Sequence, residues 1–422
     1  MAEAQAAPQV MTTADGTPLK VSLNRALRRN KFRAFLWVAP LLAFILISFL
    51  VPIFDMVFRS AENAVVGEVL HRTVPLLQKW NEAGSELPDE AIYAALFADV
   101  AEGKENKTIG KVGTLLNYQE PGMSSVFRSS PRKFAKFEEP PYKEKMIEAN
   151  KAWGELDTWQ TIKQHSNKYT PAYFLAAVDM TLDKAGSIVK QPKERRVYVN
   201  LFIRTLVLST MITALCLLLG FPISYLLATL PAKSSNLLLI LVLLPFWTSL
   251  LVRTSAWIAL LQQEGVINDL LVWVGVISDD ARIRMIHNQI GTVVAMTHIL
   301  LPFMVLPLYS VMKTIPPSFM RAALSLGANP AFAFFKVYFP QTVPGIGAGG
   351  ILVFIISIGY YITPALVGGT KGTLISNFIA YHISTSLNWG LAAALGVILL
   401  GLVLALYILY DKIVGIDNMK LG

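Results

Sequence analysis

A long apolar run from Phe35 to Phe58 constrains this chain most, because five further runs of similar length follow it, at 201–229, 237–261, 290–312, 343–366 and 389–410. About 20 helical residues cross the hydrocarbon core of a bilayer, so each run is long enough to span. The runs are continuous rather than alternating, which excludes a transmembrane β-barrel. Only 15% of the 422 residues are charged, against about a quarter in a soluble globular chain. The sequence therefore predicts an all-α membrane protein with six transmembrane helices.

Charge sets the expected orientation. Arg25, Arg28, Arg29, Lys31 and Arg33 precede the first run. A cleaved signal peptide has an apolar core of about 7–15 residues and a small-residue cleavage site; neither fits, so the first helix reads as uncleaved, its amino end in the cytoplasm. The links at 231–236 and 313–342 carry Lys233, Lys313, Arg321 and Lys336 and no acidic residue, which agrees with cytoplasmic placement. The expected organisation is a cytoplasmic tail over 1–33, its first 20 residues disordered, and a first transmembrane helix over 34–58. A periplasmic insertion over 59–199 and a five-helix core over 200–412 containing the loop 313–342 follow, with a cytoplasmic tail over 413–422.

The net charge of +9 would ordinarily suggest nucleic acid. Residues 60–199 hold 19 Lys+Arg and 19 Asp+Glu, so the excess flanks the apolar runs and topology accounts for it; no nucleic-acid partner is expected. That polar stretch contains Trp80, Trp153 and Trp159, amphipathic patterns that predict helices over Ile92–Val100 and Met146–Trp159, and punctuating prolines at 131, 140, 141 and 171. It reads as a folded external domain rather than a linker. A second outer link, 262–289, holds a predicted interfacial helix over Val266–Val276. Pro222, Pro245, Pro302 and Pro307 are expected to kink their spans.

Catalytic chemistry is missing. Cys216 is the one cysteine, so disulfides within the chain and cysteine-rich metal sites are excluded. His71, His165, His287, His298 and His382 show no metal-ligand spacing. Only His298 lies well inside a span, where it is either a functional ionisable group or a neutral histidine bonded to a neighbouring helix. Gly368-Gly369-Thr370-Lys371-Gly372-Thr373 lacks the spacing of a phosphate loop. No metal or cofactor is expected on this chain; if ATP drives it, another chain binds the ATP and Mg.

The link Ser318–Pro340 is more informative. Ser318–Leu326 can form a short helix stopped by Gly327, and Pro330 suits the first turn of a second. Ala322 and Ala323 leave a shallow surface flanked by Phe332, Phe334 and Phe335, which suits docking into a partner's groove; a connector packing only on its own helices is the alternative.

Here a family becomes recognisable. Ala322-Ala323-x-x-x-Gly327, nine residues, then Val337-Tyr-Phe-Pro340 resembles the E-A-A-x-x-x-G-x(9)-I-x-L-P loop of permease subunits of binding-protein-dependent ABC importers. Leu244–Trp257, Glu264–Asn268, Leu301–Tyr309, Thr363–Gly369 and Asn388–Gly390 resemble stretches of the spermidine/putrescine-type permeases. The resemblance covers about 201–412. It implies the type I ABC importer permease fold with a large periplasmic insertion between helices 1 and 2, in the bacterial inner membrane. The implied function is translocation of a small organic solute, a polyamine or related organic cation, delivered by a periplasmic substrate-binding protein. The implied partners are a cytoplasmic ATPase dimer, a second and different permease subunit, and membrane lipid.

By the same resemblance, Arg321, Ala322, Ala323, Gly327, Phe332 and Pro340 form the coupling surface for the ATPase, and Trp247, Tyr360 and Tyr361 are expected on the substrate pathway. Three departures stand out. Arg321 replaces the family's Glu, which requires a complementary residue in the ATPase. Tyr360 stands where many relatives carry an acid suited to a polyamine. The insertion has no counterpart in short relatives; some sugar importers use an insertion elsewhere to grip the binding protein. Two other classes compete: an ion-coupled secondary transporter, for which His298 and Arg253 are the support, and a membrane-anchored sensor or scaffold acting through residues 59–199.

Overall fold

The computed structural model describes residues 19–81, 86–118, 120–183 and 186–414, and almost every element in it is helical. The sequence expectations for a disordered start and for the last residues fall on 1–18 and 415–422, outside the described residues. The chain divides into two units, 1–58 and 59–422. The first is a helix from Leu19 to Ile45 (α1), one π turn over Leu46–Leu50, and α2 over Val51–Arg59. The helix begins well before residue 34 and includes Arg25 to Arg33; Arg, Leu and Ala are all good helix formers. The π turn ends two residues before Pro52, whose nitrogen has no hydrogen to donate into the helical ladder.

Residues 60–199 fold as short helices: α3 (Ala64–Val69), α4 (Thr73–Lys79), α5 (Glu90–Glu105), α6 (Ile109–Asn117), α7 (Met123–Phe134), α8 (Tyr142–Ala149), α9 (Leu156–Gln164) and α10 (Ala172–Ala177). A two-stranded antiparallel hairpin follows, β1 (Met180–Leu182) and β2 (Ile188–Lys190), with Thr181 opposite Val189. Trp153, Trp159, Tyr93 and Phe127 are fully buried at its centre. At roughly 2–3 kcal/mol each, these four side chains alone supply an amount on the order of a small domain's net stability.

The polar ends of these rings are all used. Trp159 Nε1 and Tyr93 Oη donate to the Trp153 carbonyl at 3.0 and 2.6 Å, and Trp153 Nε1 donates to Ser130 Oγ at 3.2 Å. The buried Asp99 carboxylate accepts from the Thr73 backbone N–H and hydroxyl at 2.8 and 2.7 Å, and from Arg72. The predicted helix over 92–100 lies within α5. The one predicted over 146–159 is broken: Asn150 accepts from the Ala152 N–H and starts a 3-10 turn, Lys151–Gly154, so both tryptophans turn into one core.

The remaining elements are α11 (Tyr198–Thr229), α12 (Ala232–Leu243), α13 (Leu250–Leu260), α14 (Val266–Trp273), α15 (Gln289–Thr314), α16 (Pro317–Ser325), α17 (Pro330–Ala333), α18 (Phe339–Gly359), α19 (Ile362–Val367), α20 (Gly369–Gly372), α21 (Ile375–Ser384) and α22 (Trp389–Val414). Helix α15 is the axis, packed on α11 and α18. At Gly349 the two backbones come so close that a Cβ would stand 3.0 Å from the Met304 carbonyl oxygen, the close approach small residues permit between membrane helices. Ser224 Oγ, donating within α11 to Gly220, also lies 3.2 Å from the Val305 carbonyl.

Among the described residues, five helices are long and apolar enough to cross a membrane, and a sixth candidate is a bent pair. The span expected over 237–261 with a kink at Pro245 is bent further than a kink: α12 ends in a 3-10 turn, Leu244–Trp247, and α13 leaves at 97°. Pro245 denies the ladder a donor, and Ser249 accepts from the Val252 N–H to start α13 afresh. The span predicted to end at 366 also ends early, at Gly359, where Tyr360 is extended and α19 restarts.

Candidate functional site

The link 313–342 is built from local signals. Helix α16 ends in a Schellman motif: Gly327 has φ +87°, its N–H reaches the Leu324 carbonyl at 3.0 Å, and the Ala328 N–H reaches Ala323 at 3.1 Å. Asn329 then accepts from the Phe332 N–H at 2.7 Å, with Pro330 at the first position of α17. A π turn, Phe334–Tyr338, carries the chain into α18, where Pro340 sits in the first turn.

This link holds one face on the bundle and leaves the other open. Met320, Ile315, Phe334 and Tyr338 pack with Phe221, Tyr225, Leu308 and Met312. Arg321, Ala322, Gly327, Phe332 and Pro340 are exposed, as are Phe319, Leu324 and Leu326, the last at 89%; Ala323 is half-buried. One expectation needs correcting: Phe334 does not flank the open face. Its ring lies 5.9 Å from Tyr225 and 6.2 Å from Phe221, within the bundle, because the π turn rotates the chain between Phe332 and Phe335.

The expected pathway residues are distributed around the break in the second core span. Trp247 is 72% exposed at the end of the 3-10 turn, and Tyr361 is half exposed. Tyr360 is half-buried against the α11–α15 core. Their backbones are fixed from α21, where Ser376 Oγ donates to the Tyr360 carbonyl at 2.6 Å and Asn377 Nδ2 to Tyr361 at 2.7 Å.

Beside them lie His298 and Arg253, which the sequence singled out, and Trp257, Thr254 and Thr363, to which it gave no separate role. Trp257 Nε1 donates to His298 Nδ1 at 3.1 Å, joining α13 to α15; in neutral His298 the proton therefore sits on Nε2. Thr254 Oγ1 meets Thr363 Oγ1 at 3.2 Å, joining α13 to α19. Arg253 and Trp257 share one face of α13, four residues apart, which was the available signal. Arg253 Nε is buried without a partner among the described residues. Between Arg195 and Tyr410 the only acidic residues are Glu264, Asp269, Asp279 and Asp280, all in the link 261–288. Gly368–Thr373 is no phosphate loop: it lies on the start of α15, with Thr292 Oγ1 donating to the Gly372 carbonyl at 3.0 Å.

The geometry is thus a helical bundle with a broken span, an aromatic and polar cluster around that break, and an exposed apolar face on a capped two-helix link. Residues 218–414 match the family model described as the binding-protein-dependent transport system inner membrane component. The chain is 35% identical to the spermidine/putrescine transport system permease protein PotB of Haemophilus influenzae over 223 residues, 53% of this chain and 77% of that one. It is 36% identical to PotB of Escherichia coli over 213 residues, 50% of this chain and 77% of that one. The inner membrane ABC transporter permease protein YdcU of Escherichia coli is 30% identical over 226 residues, 51% of this chain and 72% of the relative.

Proposed function

We infer the function from a premise: this chain belongs to the binding-protein-dependent inner-membrane transport components, in the spermidine/putrescine permease subfamily. It is a multi-pass inner-membrane permease subunit of an ABC importer, and ATP hydrolysis resides in a separate subunit. In the finer reading, six spans cross the membrane, the bent α12–α13 pair being one of them. The amino end and the link 313–342 face the cytoplasm, and residues 59–199 form a periplasmic domain between the first and second spans. A second, different permease completes the pathway, and a periplasmic binding protein delivers the cargo. No cofactor sits on this chain; ATP and Mg belong to the ATPase dimer.

The observation that carries this reading is the α16–α17 link. A short helix, stopped by a left-handed glycine and restarted by an Asn-Pro cap, holds exposed apolar side chains away from the bundle that its other face packs on. That is a rigid plug for an ATPase groove, and closure of the ATPases then moves α15 and α18 through it. Arg321 at its centre calls for an acidic residue in the groove.

Trp247, Tyr360 and Tyr361 line the pathway in this reading, with a polyamine or related organic cation as cargo. The core spans offer such a cargo aromatic faces rather than carboxylates. An ion-coupled carrier would need ionisable acceptors along these helices, and 201–260 and 289–366 contain no Asp or Glu. Purification of the tagged chain from its own membranes in mild detergent, with mass spectrometry of what accompanies it, tests the proposal. An ATPase and a second permease support it. A chain reproducibly free of any ATPase across detergents refutes it.

A further inference from the structure

The fixed charge beside the broken span is positive. Arg253 stands in the first turn of α13, and a guanidinium keeps its proton in proteins. The residue is half-buried, and its Nε is buried without a partner among the described residues. Neighbouring spans supply no counter-charge, since 201–260 and 289–366 contain no Asp or Glu. The dipole of α13 adds to the positive potential at that end of the helix.

Arg253 lies within electrostatic reach of His298 on α15 and Tyr360 at the end of α18. Neither offers a negative charge. Trp257 Nε1 donates to His298 Nδ1 at 3.1 Å, so the other ring nitrogen carries the proton and is a donor. Tyr360 is a phenol, uncharged at neutral pH. Thr254, the next residue along α13, spends its hydroxyl on the Leu250 carbonyl at 2.9 Å and on Thr363 at 3.2 Å. The cluster therefore turns N–H donors from two helices, one of them charged, towards the break where Tyr360 and Trp247 stand.

An ionised side chain inside a membrane bundle normally faces a cavity or pairs with an opposite charge, because burying it alone is costly. We propose that Arg253 is a specificity-determining residue that binds a carboxylate of the transported solute, with His298 donating beside it. The inference rests on the transport reading and narrows its cargo to a solute that bears a carboxylate. Nε and one terminal nitrogen of a guanidinium form a fork that matches the two carboxylate oxygens. A simple diamine brings a second positive charge to a place that already holds one, and like charges at close range repel.

The test is calorimetric titration of the tagged complex, purified from native membranes into lipid nanodiscs, with 4-aminobutyrate and with putrescine. These four-carbon probes differ at one end, a carboxylate against an aminomethyl group. The site predicts binding of 4-aminobutyrate at least about tenfold tighter, as expected for a charge-assisted pair. Arg253→Gln should erase that preference and Arg253→Lys should keep part of it, which separates this site from any accompanying binding protein. Tyr360→Asp, which sets an acid within reach of the guanidinium, should turn the preference towards putrescine. Binding of neither probe, equal binding of both, or a preference that survives Arg253→Gln would overturn the proposal. An acid of a second permease seated on Arg253 would give one of the first two results. Mass spectrometry of the same sample reads the transport reading separately. An ATPase present without the preference sinks this inference alone, and the preference without any ATPase leaves the carboxylate site standing and sinks the transport reading.

Discussion

Replacing Gly327 separates a loop that merely connects helices from one that transmits force. Its φ of +87° is open to glycine and, at small cost, to asparagine. A β-branched residue there costs about 1–2 kcal/mol of backbone strain. If the motif opens, the two bonds from Gly327 and Ala328 add about 1 kcal/mol each. The sum, about 3–4 kcal/mol, falls short of the roughly 5–15 kcal/mol that holds a typical domain. A Cβ at Gly327 meets nothing within 4 Å, so no clash within the chain confounds the experiment. Gly327→Val should therefore insert and fold while substrate uptake in proteoliposomes with its partners drops at least about tenfold, the loss expected when about 1.4 kcal/mol of coupling is removed. Gly327→Asn, which tolerates the left-handed conformation, should stay within a few-fold of wild type. Wild-type uptake in Gly327→Val would refute the coupling argument; equal losses in both variants would refute its basis in backbone conformation.

Three further outcomes follow from the packing. Asp179→Ala strips three N–H groups at the start of α11 of their acceptor and should lower stability by about 2–3 kcal/mol, read as a fall in thermal midpoint that Asp179→Asn partly restores. His165, held near 4 against an ordinary 6.5, binds its proton in the unfolded chain before the folded one does. Stability is then complete above pH 6.5 and lost as pH falls towards 4, by about 3 kcal/mol in all, and His165→Gln should flatten the midpoint-versus-pH curve over that window. Gly349→Val drives a branched side chain into Met304 and should cost about 1–3 kcal/mol, seen as a lower midpoint in detergent.

What the sequence made legible was local. Gly327 and Pro330 each specify their own backbone, so the stop and restart of the link could be read directly, while the Asn329 cap emerged only in the structure. Six apolar runs announced the membrane, and the Trp-rich stretch announced a core. What stayed hidden depends on partners distant in sequence. Pro245 signalled a kink, but the 97° turn also needs Ser249 to start α13 and Thr363 to meet Thr254. The pattern over 146–159 is amphipathic throughout, yet Asn150 breaks it to bring Trp153 and Trp159 together. Phe334 and Phe335 look equivalent in sequence, and only a π turn separates inner from outer. Asp179 carries no motif at all; its role arises where the insertion meets the start of α11.

The most direct test of the central claim places a single thiol on the open face of α16. The one native cysteine, Cys216, is buried, so Ala322→Cys supplies the accessible thiol for site-specific cross-linking in native membranes. The account predicts a cross-link from position 322 to an ATPase subunit, with a yield that changes when nucleotide is added. A residue 322 thiol that is freely labelled in those membranes yet never captures an ATPase would contradict it.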